Sequence, residues 1–304
     1  MTYVKEKAKE YLAACSRLPS LTTMTAQEAR QMRAKFPMPD AQPGKVASIE
    51  NRVVRARDGY EIPMRIYTPV GKGPFPVIIY YHGGGWVLND LNTCHVSCSL
   101  LAQKAEAIVV SVEYRLAPEY KFPVPLFDAY DAFLAVKEGE VVKSDGCISV
   151  AGDSAGGNLA TVVTQLARED RLAIDAQILL YPVTDLSYDS TSYIVYGEGF
   201  GLDGDVMRWF GDYYIRSQED VENPLLAPLR GELAGLPRAF VLVAENDVLR
   251  DEGLAYAKKL EQSGVPVTQS IASGLIHSYF TRNDVFQEEI LETIDEITAF
   301  LHRQ

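Results

Sequence analysis

The chain has 304 residues, with 29 Lys+Arg against 41 Asp+Glu and a formal net charge of −12. Hydrophobic residues make up 47% and charged residues 23%, which excludes a disordered chain and allows a sizeable core. The acidic balance argues against nucleic acid or an anionic membrane as partner, since both reward clusters of Lys and Arg.

Four cysteines (Cys15, Cys94, Cys98, Cys147) are too few for a disulfide scaffold, and none has CxxC spacing. The opening residues MTYVKEKAKEYLAA read as a charged helix and lack the pattern of a secretory signal. No apolar run approaches the ~18 residues of a membrane span. The expected compartment is therefore a reducing cytoplasm. Length alone allows two domains or one α/β body.

In chain order, the first 35 residues read as two short helices split near Leu18-Pro19-Ser20. Thr25 and Glu28 have the spacing of a capping box that opens the second helix. Phe36-Pro37-Met38-Pro39 through Pro43-Gly44 reads as a linker. Strand-like segments at 48–56 and 60–68 meet at Asp58-Gly59, the signal of a two-residue hairpin. Continuous apolar runs follow at 76–81, 107–112, 147–151, 176–181 and 239–244, and such runs suit parallel strands buried on both faces. Val265 to Ile271 reads as a weaker last strand. Helix-like segments at 92–105, 124–137, 155–168, 251–263 and 284–301 alternate with these strands, predicting a mostly parallel α/β sheet flanked by helices. Residues 184–220 break the rhythm with Tyr188, Tyr193, Tyr196, Phe200, Trp209, Phe210, Tyr213 and Tyr214. An insertion of this length is usually functional, and its aromatics read as the wall of an apolar pocket.

The strongest chemical signal is Gly152-Asp153-Ser154-Ala155-Gly156-Gly157-Asn158, a G-x-S-x-G sequence between a strand and a helix. That context defines a nucleophile elbow, which lifts the Ser154 hydroxyl above the sheet. A serine hydroxyl needs a base. Of the four histidines, His302 lies in the terminal helix, His95 packs between Cys94 and Cys98, and His82 opens a glycine motif, leaving His277 after the last strand. The orienting acid belongs between Ser154 and His277 after a strand; Asp247 fits best, with Glu245 and Asp251 as nearby competitors. In His82-Gly83-Gly84-Gly85-Trp86, consecutive glycines let backbone N–H groups approach a ligand. Gly83 and Gly84, with the Ala155 N–H, are the expected oxyanion donors, although sequence does not select two donors from Gly83, Gly84 and Gly85. No metal-ligand spacing and no phosphate-binding G-x-x-x-x-G-K-[ST] is present.

With HGGGW at 82–86, GDSAGGN at 152–158, then Asp247 and His277 in order, the chain resembles the hormone-sensitive-lipase-like family of α/β-hydrolases, and within it the bacterial carboxylesterases. Tyr114-Arg115-Leu116-Ala117-Pro118-Glu119 and Leu249-Arg250-Asp251-Glu252-Gly253 extend the likeness, which runs from about residue 48 to the end. The resemblance implies an α/β-hydrolase fold over 1–304 with a cap from about 1–45 and 184–220. It implies cofactor-free hydrolysis of small-molecule esters with short or medium acyl chains. The chain has Asp247-Val248-Leu249 and His277-Ser278-Tyr279 where the family often has Asp-Pro-Leu and His-Gly-Phe. A deacetylase, amidase or arylformamidase on the same residues, or a silent ligand receptor of the same fold, are the alternatives. A homodimer would form through an edge strand or the terminal helix.

Overall fold

Eight strands form one sheet: β1 (Val46–Arg55), β2 (Glu61–Pro69), β3 (Phe75–Tyr81), β4 (Ile108–Val112), β5 (Ser144–Asp153), β6 (Ala176–Leu180), β7 (Arg238–Asn246) and β8 (Val267–Ile276). The order is β1-β2-β4-β3-β5-β6-β7-β8. The β1–β2 and β2–β4 pairs are antiparallel and the rest parallel. This computed structural model describes residues 3–35 and 41–303, so the expected linker from Phe36 lies outside the described residues as far as residue 40.

The central strands are apolar throughout because helices cover both faces. Along β3, Val77, Ile79 and Tyr81 enter one core, whereas Ile78 and Tyr80 enter the other. This is the two-residue alternation of a strand with a buried environment on each side. The first core is completed by α4 (Val124–Lys137), α5 (Ala155–Glu169) and α8 (Arg250–Gln262). The second is completed by α3 (His95–Lys104) and α9 (Gln287–His302). Among the described residues no helix is long and apolar enough to cross a membrane.

The N-terminal stretch forms α1 (Glu6–Cys15), a 3-10 turn at Leu21–Thr23 and α2 (Ala26–Ala34). Thr25 Oγ1 accepts the Glu28 N–H while the Glu28 carboxylate accepts the Thr25 N–H, so the capping box is formed. Between β6 and β7 the aromatic insertion carries α6 (Thr191–Val195) and α7 (Gly204–Tyr214).

Two local readings change. The β1–β2 turn takes three residues, because Ala56 and Tyr60 still pair through the Ala56 N–H and Tyr60 carbonyl, leaving Arg57, Asp58 and Gly59 in the loop. Tertiary contacts favour the longer turn: the Arg57 N–H donates to Asp131 Oδ2 at 2.8 Å, and Asp58 pairs with Arg115 at 2.7 Å. The last strand runs past Ile271 to Ile276, across an irregularity opposite β7.

Glu113, just after β4, accepts the Leu91 N–H at 2.7 Å. Burial pushes its carboxyl up to about 7; the Leu91 N–H opposes the rise, and Asp90 adds to it. A carboxyl raised on folding keeps its proton in the folded chain after the unfolded chain has lost it. Glu113 therefore lowers stability progressively as pH rises from 4.5 to about 7. Glu113→Gln retains an acceptor for Leu91 without the charge. Urea unfolding is expected to show the variant's advantage over the parent growing by about 2 kcal/mol between pH 5 and pH 8. Equal differences at both pH values would contradict this.

Candidate active site

The site forms where β5, β7 and β8 end. β5 runs directly into α5 at Ser154, whose φ of 55° and ψ of −120° lie outside the usual regions for a non-glycine residue. Strain of this kind costs of order 1–3 kcal/mol and persists only when its surroundings enforce it. Here the Ser154 N–H donates to Leu180 O, and Ser154 O accepts from Val183 and Asn158. Asn158 Nδ2 also donates to the Val183 and Leu226 carbonyls, tying the elbow to the loop beyond β6. Gly156 has no substitute: a Cβ there would lie 1.9 Å from Tyr81 O.

His277 follows β8, and Asp247 follows β7. His277 Nδ1 lies 2.6 Å from Asp247 Oδ2, and Nε2 lies 2.9 Å from Ser154 Oγ. Asp247 Oδ1 also accepts the Leu249 N–H at 3.0 Å. All three side chains are buried. The Tyr181 ring meets the imidazole edge-on at a centroid distance of 4.8 Å and packs against it.

The structure thus brings Ser154, His277 and Asp247 into one hydrogen-bonded chain. It leaves the competing acids elsewhere. Glu245 accepts from Ser273 and Gly274, and Asp251 accepts the Ser192 N–H of α6 and pairs with Arg250. Of the other histidines, His95 bonds the Tyr67 hydroxyl at 3.0 Å. His82 is buried and stacked on Tyr114, and burial lowers the pKa of its imidazole.

The glycine loop 83–85 lies beside the elbow. The Gly83 N–H donates to Asp153 Oδ1 at 2.9 Å, and Tyr80 donates to the same oxygen at 2.8 Å. This corrects the expectation that Gly83 is an oxyanion donor, because its one N–H is already engaged. Among the described residues, the Gly84, Gly85 and Ala155 N–H groups have no acceptor. Asp153 is buried, which raises its carboxyl above the ordinary range, with the Tyr80 hydroxyl opposing the rise. The sequence reading missed this anchor. Its one signal was a carboxylate at the variable position of G-x-S-x-G, just past the apolar run 147–151.

A family model described as alpha/beta hydrolase fold matches residues 78–281, a span that holds all of these groups. The chain belongs to the hormone-sensitive-lipase-like α/β-hydrolases. It is 38% identical to an arylesterase of Saccharolobus solfataricus over 73% of this chain and 74% of that one. It is 36% identical to an ethyl acetate hydrolase of Pseudomonas putida over 87% of each chain. A solved ester-hydrolase from the metagenome of Lake Arreo, bound to a bipyridine phosphonate derivative, superimposes with a TM-score of 0.91. It has 35% identity and covers 98% of each chain.

In this hydrolase, the N-terminal stretch and the insertion between β6 and β7 meet around the glycine loop. Arg30 of α2 donates through Nε to Val87 O at 2.8 Å and pairs with Glu119 at 2.9 Å. Trp209 of α7 donates through Nε1 to Met24 O at 3.1 Å, joining the insertion to the N-terminal stretch. The Phe210 ring occupies the space beside Gly85, where a Cβ would fall 2.1 Å from it. The Asp251 and Glu252 carboxylates fasten the insertion from α8: Asp251 holds the Ser192 N–H and Glu252 the Thr184 N–H, each at 2.8 Å. The departure at Ser278 also has a structural consequence. Its φ of 62° is left-handed, so serine carries a conformation that favours glycine, at a cost of about 1 kcal/mol.

Proposed function

We propose that the protein is a serine carboxylesterase acting through Ser154, His277 and Asp247. The observation that carries this reading is the unbroken chain from Ser154 Oγ through His277 to Asp247, with contacts of 2.9 and 2.6 Å. With Nδ1 protonated and donating to Asp247, Nε2 is free to accept the Ser154 proton. Ser154 Oγ attacks the ester carbonyl, and His277 then protonates the leaving alcohol. The resulting acyl-enzyme is hydrolysed when His277 activates a water. The N–H groups of Gly84, Gly85 and Ala155 receive the oxyanion, whose charge develops only in the transition state. Asp153 supports that loop by holding Gly83.

The preferred acyl chain is short to medium. Support for this comes from Phe210 against Gly85 and from the closure of α7 onto the N-terminal stretch through Trp209, which place bulky groups beside the oxyanion loop. A p-nitrophenyl ester series is expected to give its highest kcat/KM at acetate to hexanoate, with rates falling for longer chains. Highest rates on long chains with interfacial activation would contradict the short pocket. Labelling with a fluorophosphonate is expected to be stoichiometric at Ser154. An unreactive serine would favour a ligand receptor, and faster turnover of amides than of matched esters would favour an amidase.

A further inference from the structure

The ends of β7 and β8 do not run in simple register. Ala244 pairs with Ala272 but Asn246 pairs with Ile276, so Glu245 alone faces Ser273, Gly274 and Leu275. Two extra residues are thus accommodated on β8. Had the strands stayed in register, His277 would lie two residues further along, about 6.6 Å past its place beside Asp247. The 2.6 Å contact between Asp247 and His277 depends on this bulge.

One side chain closes the bulge. Glu245 Oε2 accepts the Gly274 N–H at 2.6 Å and the Ser273 hydroxyl at 2.9 Å. From the other side, the Lys5 N–H donates to Gly274 O at 2.9 Å, and Asn246 Nδ2 donates to Tyr3 O at 3.0 Å. Gly274 has a φ of 71°, and a Cβ on it would lie 2.6 Å from the Tyr3 ring. The turn is therefore clamped between the Glu245 carboxylate and the N-terminal segment.

We propose that Glu245 is a positioning residue: its carboxylate sets the β8 bulge that brings His277 onto Asp247. Neither Glu245 nor its partners Ser273 and Gly274 bonds the reacting groups, so the effect acts through the path of the backbone. The proposal rests on the triad reading above for its effect on rate, but not for its effect on the His277–Asp247 bond.

The test compares Glu245→Ala, Glu245→Gln and Ser273→Ala with the parent. Turnover of p-nitrophenyl butyrate and its pH profile are measured, together with the low-field proton resonance of the His277 Nδ1–H and the thermal midpoint. Glu245→Ala is expected to lower kcat about 10- to 100-fold, with KM changed less than about twofold. It is also expected to shift the acid limb of kcat/KM and to weaken or abolish the low-field resonance. Glu245→Gln still offers an oxygen to the Gly274 N–H and is expected to recover both the rate and the resonance. Ser273→Ala removes one of the two bonds and is expected to cost about threefold in kcat; it replaces Glu245→Ala should that variant not fold. Parental kcat, pH profile and resonance in the alanine variants would overturn the proposal, as would equal losses in Glu245→Gln and Glu245→Ala. If the parent turned over no ester, the triad reading would fail. The resonance would still decide whether Glu245 places His277.

Discussion

Ser154→Ala is expected to reduce turnover of p-nitrophenyl butyrate by about 10⁶-fold in kcat while the chain stays folded. The loss is this large because serine and histidine act as one unit: without Oγ, His277 has no nucleophile to activate, and water is not held in its place. A small residual rate over the uncatalysed reaction should persist from the oxyanion donors and substrate binding. The fold should survive because the substitution removes one atom and leaves the elbow's backbone bonds to Leu180, Val183 and Asn158 untouched. Thermal unfolding and burst kinetics on the same preparation check both halves of the prediction. Parental turnover in the variant would refute the assignment of Ser154.

Asp247→Asn is expected to lower kcat by about 10⁴-fold with little change in structure. The reason lies in its two bonds. Oδ1 accepts the Leu249 N–H at 3.0 Å and Oδ2 faces His277 Nδ1 at 2.6 Å. In asparagine, the amide oxygen is retained by the Leu249 donor, so the amide NH₂ turns towards His277. Nδ1 must then accept, which moves the imidazole proton to Nε2, and Nε2 can no longer take the proton of Ser154. The variant should remain folded, bind substrate with a similar KM and label slowly with fluorophosphonate. A loss below about tenfold would point to another acid, because an imidazole protonated on Nε2 cannot take the Ser154 proton.

The elements legible in the sequence were those whose signals are local. The apolar runs at 76–81, 107–112, 147–151, 176–181 and 239–244 became β3 to β7, because a strand covered on both faces needs apolar residues throughout. The Thr25–Glu28 capping box formed because its two hydrogen bonds span only three residues. Boundaries set by distant partners were not legible. The turn at Arg57-Asp58-Gly59 is lengthened by Asp131 and Arg115, and β8 continues through a bulge that Glu245 and Lys5 hold.

The same division runs through the site. By itself the sequence determined the order of Ser154, Asp247 and His277, the glycines that permit the elbow, and the mostly parallel α/β body. These follow from motif spacing and from the periodicity of single segments. Only the tertiary structure decided that Gly83 is engaged by Asp153 and that Phe210 lies against Gly85. It likewise decided that Glu245 accepts the Gly274 N–H while Asp247 meets the imidazole. Each of these depends on how residues far apart in the chain share donors and space, and a hydrogen-bond donor already engaged in the fold looks the same in sequence as a free one.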